Sequence, residues 1–148
     1  MSYDATPFRM EVMIMFLGQI NDYLVPSGEA NTIIPIRTIA NTNDKVVNKR
    51  GLISFLKNGK YNVDATISVS AAETQNVTVS IFTDDGVRRS VVATIPESPT
   101  GDVGTVNVSL VDAIDVILTR YFNVANIYIG VDQSDVTVSG YIRIEYVR

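Results

Sequence analysis

At 148 residues the chain fits one domain, able to bury roughly two-thirds of the surface that its unfolded form exposes. It has no cysteine and no histidine, which excludes a disulfide framework, a thiolate nucleophile, and imidazole as base or metal ligand. Twelve basic against sixteen acidic residues give a net charge of −4, so no strong positive field draws it to nucleic acid or to an anionic membrane.

Val, Ile and Thr number 21, 16 and 13, against 6 Leu. β-Branched side chains lose rotamer freedom in helices and pack well on pleated surfaces, so strands are expected. In chain order, the first apolar run is Val12-Met13-Ile14-Met15-Phe16-Leu17. It is too short for a transmembrane helix, and it lacks the basic leader and small-residue site of a signal peptide. It reads as a strand or short helix buried on all sides, by the domain or by a partner. A second apolar piece, 32–37, is separated from it by Pro26-Ser27-Gly28 and contains Pro35. Proline cannot donate to a ladder, so an edge or swapped strand is expected there. Asn41-Thr42-Asn43-Asp44 reads as a hinge. These features divide the chain into an N-terminal arm, residues 1–45, serving as an anchor or as swapped strands, and a β-domain, residues 46–148. The alternative is that residues 12–37 complete the sandwich of their own chain.

The β-domain alternates clearly. Leu52–Leu56 leads to Asn58-Gly59, a short-hairpin signal. Tyr61, Val63, Ala65, Ile67 and Val69 then share one face, and Val77, Val79 and Ile81 carry the next strand. Asp84-Asp85-Gly86 turns the chain into Val87–Ile95, and Lys49-Arg50 and Arg88-Arg89 both read as solvated loop positions. Pro96 and Pro99 stop pairing, and Gly104–Leu110 alternates again. Residues 111–120 are compatible with one helical turn, but the β-branched run favours a strand covered on both faces. Ile127, Ile129 and Val131 make another strand, and Val136 to Tyr146 closes the chain in strict alternation. Short strands at this spacing indicate a sandwich.

Three segments now carry a family resemblance. They are Phe55-Leu56-Lys57-Asn58-Gly59-Lys60-Tyr61-Asn62-Val63, Val108-Ser109-Leu110-Val111-Asp112-Ala113-Ile114-Asp115-Val116, and Val138-Ser139-Gly140-Tyr141-Ile142-Arg143-Ile144. Over about residues 50–148 the set resembles the compact jelly roll shared by tumour necrosis factor and the globular heads of complement. Ala113-Ile114-Asp115 stands where that family has Gly-Asp, and Val138 replaces its aromatic residue before Ser139-Gly140. In overall character the chain is also similar to decoration proteins and fibre heads of bacteriophage particles. The resemblance implies an all-β, antiparallel two-sheet jelly-roll sandwich and a homotrimer, three sandwiches packing side by side around an axis lined by apolar and aromatic residues. Strands that are apolar on both faces, 12–17 and 116–118, would need such extra cover. The interface residues expected on this basis are Val12, Ile14, Phe16, Val116, Leu118, Tyr121, Phe122 and Tyr128.

No catalytic or cofactor site is expected. Without histidine, neither a metal-binding jelly-roll enzyme nor a Ser-His-Asp system can be assembled. No phosphate-binding glycine loop is present. Paired carboxylates are found at Asp84-Asp85, Asp112/Asp115 and Asp132/Asp135. They have the chemistry for general acid–base work or calcium binding, but turn and structural needs account for them first. With the resemblance to bacteriophage proteins, the functions expected are, in order, a non-enzymatic virion structural protein, a trimeric head decoration or head fibre component attached to the capsid through its N-terminal arm; a receptor- or glycan-binding head domain of a phage fibre or baseplate; and an enzyme. The expected partners are the chain itself, capsid or other virion proteins and a host-surface glycan, with no nucleic acid and no membrane.

Overall fold

In the computed structural model, residues 13–42, 44–97, 101, 103–118 and 126–147 are described. They contain ten strands and, among the described residues, no helix. The strands are β1 (Met13–Leu24), β2 (Arg37–Asn41), β3 (Val46–Lys49), β4 (Leu52–Phe55), β5 (Gly59–Ala71), β6 (Gln75–Thr83), β7 (Gly86–Ile95), β8 (Gly104–Val116), β9 (Asn126–Val131) and β10 (Thr137–Val147). They build two five-stranded sheets in the orders β2-β1-β10-β5-β8 and β3-β4-β9-β6-β7, with every pairing antiparallel. The chain keeps crossing between layers, staying within one only at β1–β2 and at the β3–β4 and β6–β7 hairpins. This is the expected jelly-roll sandwich.

The inward faces follow the alternation of the sequence. Tyr61, Val63, Ala65, Ile67 and Val69 from β5 meet Val77, Val79 and Ile81 from β6 and Ile127 and Ile129 from β9, all fully buried. One covered face per sheet is what a two-layer sandwich demands, and the outward positions of β5 are Lys, Asn, Asp, Thr and Ser.

Residues 13–41 are not an arm. β1 is the second strand of its sheet, paired with β10 on one side and with β2 on the other. Met15, Phe16, Ile20 and Val25 are buried in the common core. Without them β10 would be an unpaired edge lying over exposed apolar surface. The expected boundary at residue 45 therefore falls inside the sandwich, between β2 and β3. Residues 1–12 lie outside the described residues.

Three local expectations change for physical reasons. The piece 32–37 is not a strand through Pro35. Ile34 and Ile36 are buried, and the backbone amides of Asn31 and Ile34 donate to Val131 and Ile129 carbonyls at 2.7 and 3.0 Å, while β2 begins at Arg37. Asn58-Gly59 does not close a hairpin, because β4 belongs to one sheet and β5 to the other. Phe55 and Tyr61 point inward from opposite layers, with ring centroids 4.7 Å apart, so the turn crosses the sandwich. Gly59 has φ +149°, and a Cβ there would stand 2.4 Å from Tyr146 Cε1. Finally, β8 is a strand to Val116 but is not covered on both faces: Leu110, Asp112, Ile114 and Val116 are buried, while Val111, Ala113 and Asp115 are exposed.

Candidate functional site

Of the expected interface residues, the described ones do not share one surface. Phe16 and Val116 are core residues of this chain, 0% and 1% exposed, so no partner is needed to cover them. Their neighbours make these stretches apolar on both sides: Leu17 is half-buried on the outer face of β1, beside Tyr141 and Arg143, and Ile117 is half-buried just past the end of β8. Leu118 is exposed beyond the end of β8, its amide donating to Asn58 Oδ1 at 2.7 Å. Tyr128 is half-buried on the outer face of β9. Ile14 pairs with Glu145 in the β1–β10 ladder. Val12, Tyr121 and Phe122 lie outside the described residues.

The carboxylates are separate, and the best placed is Asp112. It sits on the inner face of β8, its side chain fully buried, at the margin where β8 approaches β7 of the other sheet. Arg88 Nε donates to Asp112 Oδ2 at 2.5 Å, and Arg88 Nη2 and Arg89 Nε reach Oδ1 at 3.3 Å. Arg88-Arg89 is thus part of strand β7, not a solvated loop. The β6–β7 ladder is bulged here, Ile81 facing Arg89 and Phe82 facing Val87. A bulge breaks the strict alternation of side chains, which lets two successive arginines reach one carboxylate. The hydrogen bond to Asp112, though opposed by burial, raises the Arg88 pKa above its ordinary value. This is the geometry of an ion-pair cluster, both carboxylate oxygens being engaged by guanidinium groups.

The other carboxylates also have structural partners. Asp84 accepts from the amide and side chain of Asn126 at 3.2 and 2.9 Å, fixing the β6–β7 turn to the start of β9. Asp132 Oδ1 accepts from the Thr78 amide at 2.7 Å. Asp115 is exposed opposite Lys60. Among the described residues no group of three or more acidic side chains is placed to hold a metal ion.

The outer faces of the two sheets differ. That of the β2-β1-β10-β5-β8 sheet is a polar lattice interrupted by Leu17 and exposed Val111. Arg37 Nη2 donates to Gln19 Oε1 at 2.7 Å, Arg143 pairs with Asp64 and Glu145 at 3.4 and 3.5 Å, and the Ser68 hydroxyl donates to Asn107 Oδ1. Tyr141 stands in this lattice half-exposed. On the other sheet, Phe82 and Tyr128 face outward as direct cross-strand neighbours with parallel rings, 5.0 Å between centroids and 10° between planes. Tyr141 and Phe82 were absent from the expected site. Their signal is an aromatic side chain in the polar phase of an alternating strand.

One end of the sandwich is aromatic. Tyr61 packs between Phe55 and Tyr146, and Lys45 Nζ lies 4.7 Å over the Tyr146 ring. Burial, with a smaller contribution from Tyr146, pushes the Tyr61 phenol up to about 12, and its hydroxyl donates to the Lys57 carbonyl at 2.7 Å. Leu56 and Leu118 are exposed at this end, and β1 enters from it, since Met13 pairs with Tyr146.

Two five-stranded antiparallel sheets connected in this order define a jelly roll of the tumour-necrosis-factor type. Comparison with solved structures places particular proteins beside it. The chain is similar to the vertex protein P5 of PRD1, with 16% identity and a TM-score of 0.51, covering 92% of this chain and 99% of that one. It is also similar to murine APRIL, a tumour-necrosis-factor-family protein, in structures at pH 5.0 and pH 8.0. The TM-scores are 0.56 and 0.53, with 8% and 7% identity, over 86% of this chain and 98% of APRIL in each case. No family model and no curated protein sequence matches the chain.

Proposed function

We propose that the chain is a non-enzymatic structural protein of a virus particle, acting as a homotrimeric capsid decoration or head fibre component. The observation that carries this reading is the end-to-end likeness of its fold to the PRD1 vertex protein P5, which leaves almost none of either chain unmatched. The structural partners of Asp84, Asp112 and Asp132 support a non-catalytic role.

In this reading the three sandwiches turn the face bearing Tyr141 toward their common axis, because it carries a half-exposed aromatic ring together with exposed Val111 and half-buried Leu17, which gain from being covered. Attachment to the capsid runs through the residues that precede β1. Leu118, exposed with Leu56 at the end where β1 enters, is assigned to that contact; Val12, Ile14, Tyr121 and Phe122 are assigned to it from the sequence alone. A receptor- or glycan-binding head is the second reading, supported by the outward aromatic pair Phe82–Tyr128.

Light scattering at micromolar concentration tests the assembly. The expected mass is three times the 16.2 kDa of one chain, and Tyr141→Asp shifts dissociation by about tenfold or more, the size of effect typical of a buried aromatic anchor. A single-chain mass for the unmodified protein overturns the trimer. Immunogold labelling of intact particles tests the location, and absence of label from them overturns the virion reading.

A further inference from the structure

The outer face of the β3-β4-β9-β6-β7 sheet carries a wide, shallow hollow beside Tyr128. Its volume is about 610 Å³, and Glu29, Asn31, Thr32, Ile33 and Tyr128 line it. The 29–33 turn that forms one wall is tied to the sheet. Asn31 and Ile34 amides donate to Val131 and Ile129 carbonyls at 2.7 and 3.0 Å, and the Thr32 hydroxyl donates to the Glu29 carbonyl at 2.7 Å. Asn31 is held at φ +63°, a left-handed conformation that asparagine tolerates better than most residues. On the other side Phe82 stacks on the Tyr128 ring, and Gly130 makes room for it, since a Cβ there would stand 2.8 Å from Phe82 Cε2. The aromatic wall and the turn are thus both fixed before any ligand arrives.

The side chains of Glu29 and Asn31 have no hydrogen-bond partner among the described residues. Both are exposed, so their polar atoms are free to meet hydroxyls at the rim of the hollow, beside the apolar surface of Tyr128 and Ile33. A ligand that fits must offer one apolar face to an aromatic ring and several hydroxyls at its edge. A pyranose does both: its C–H face lies on a ring, and its hydroxyls donate to a carboxylate and exchange hydrogen bonds with an amide. Glu29 is the one charged residue among those lining the hollow, so an anionic sugar is repelled.

We propose that this hollow is a binding subsite for an uncharged pyranose, with Tyr128 as the stacking platform and Glu29 and Asn31 as the polar contacts. The proposal deepens the receptor- or glycan-binding reading and rests on it; it does not need the trimer. Saturation-transfer NMR on the full chain tests it, with methyl β-D-galactopyranoside, methyl β-D-glucopyranoside and methyl α-D-mannopyranoside as probes and N-acetylneuraminic acid as the anionic control. Transfer is expected to the C–H protons of at least one neutral glycoside and not to the acid. Tyr128→Leu and Glu29→Gln each weaken that binding by about tenfold, the worth of one good contact of each kind. Glu29→Gln lies in an exposed turn, so it reports on the site even if Tyr128→Leu disturbs folding. Absence of transfer from all three glycosides, or equal binding by both variants, overturns the subsite. If the chain and Tyr128→Leu bind the same glycans on an array of longer oligosaccharides, the subsite is overturned while the head reading stands.

Discussion

The sandwich is closed along its two long margins by different chemistry. Where β7 meets β8, a buried carboxylate is held by two arginines, with side-chain exposures of 0% for Asp112 and 31% and 59% for Arg88 and Arg89. Where β2 meets β3, neutral amides do the joining. Asn48 Nδ2 donates to the Ile36 carbonyl at 2.8 Å and to Thr38 Oγ1 at 3.1 Å, and Asn41 Nδ2 donates to the Val46 carbonyl at 2.9 Å. The neutral margin asks little: its groups are partly wet, and each bond is worth about 1 kcal/mol. The charged margin is conditional. It holds while both signs are present and turns against the fold when one is removed, because a carboxylate out of water needs a cation. An inward-pointing charge on an edge strand also discourages stray pairing with other chains.

The largest effect should therefore come from unbalancing the charged margin. Arg88→Ala/Arg89→Ala leaves Asp112 buried without a cation and should cost about 3–5 kcal/mol in urea unfolding. Adding Asp112→Ala to the double variant should recover part of that loss, since the stranded charge is gone. A double variant that loses less than about 1 kcal/mol would mean that water reaches Asp112, and the contrast between the margins would fail.

Alkali separates the charged margin from the neutral groups by a second route. Arg88 is held above its ordinary pKa, so its pairing with Asp112 survives to high pH. Tyr61, at the aromatic end, does not share that protection. Its pKa of about 12 in the folded protein lies above the ordinary 10, so folding favours the neutral phenol. The resulting stability is fully present below about pH 10 and is lost as pH rises toward 12. Over that range the linkage is worth about 2–3 kcal/mol. Tyr61→Phe should be less stable at neutral pH by about 1 kcal/mol, for the lost bond to Lys57, and should show a flatter decline between pH 10 and 11.5. Parallel declines in the two proteins would remove Tyr61 as the cause.

The same contrast explains what was legible in the sequence. β5 and β10 could be read residue by residue, because one face of each is covered by apolar neighbours and a period of two records that directly. Arg88-Arg89 could not, since the bulge that aims both at Asp112 leaves no mark in the alternation. Asn58-Gly59 shows the limit of turn chemistry: the residues specify a sharp reversal, but whether it joins neighbouring strands or opposite layers depends on where Phe55 and Tyr61 are buried. Phe16 and Val116 were legible as apolar but not as core, because a partner and the chain's own second layer leave the same pattern. Tyr128 was legible as a surface candidate, whereas its companions Phe82, Glu29 and Asn31 come from β6 and from a turn, remote from it in sequence.

The smallest effect belongs to the neutral margin, and it is the sharper test of the comparison. Asn48→Ala removes three hydrogen bonds at once: those to Ile36 and Thr38, and the one its Oδ1 accepts from the Gly51 amide at 2.8 Å. If bonds lost from a buried environment were at stake, three would cost well over 3 kcal/mol. Asn48 is only half-buried, so water replaces much of what the side chain supplied, and the expected cost is about 1–2 kcal/mol in urea unfolding. Asn48→Asp separates the two margins further. It keeps the acceptor for Gly51 but presents a carboxylate to the Ile36 carbonyl, so it should be no better than alanine. If Asn48→Asp were more stable than Asn48→Ala, the joining of β2 to β3 would rest on the Gly51 turn rather than on the bonds between the strands.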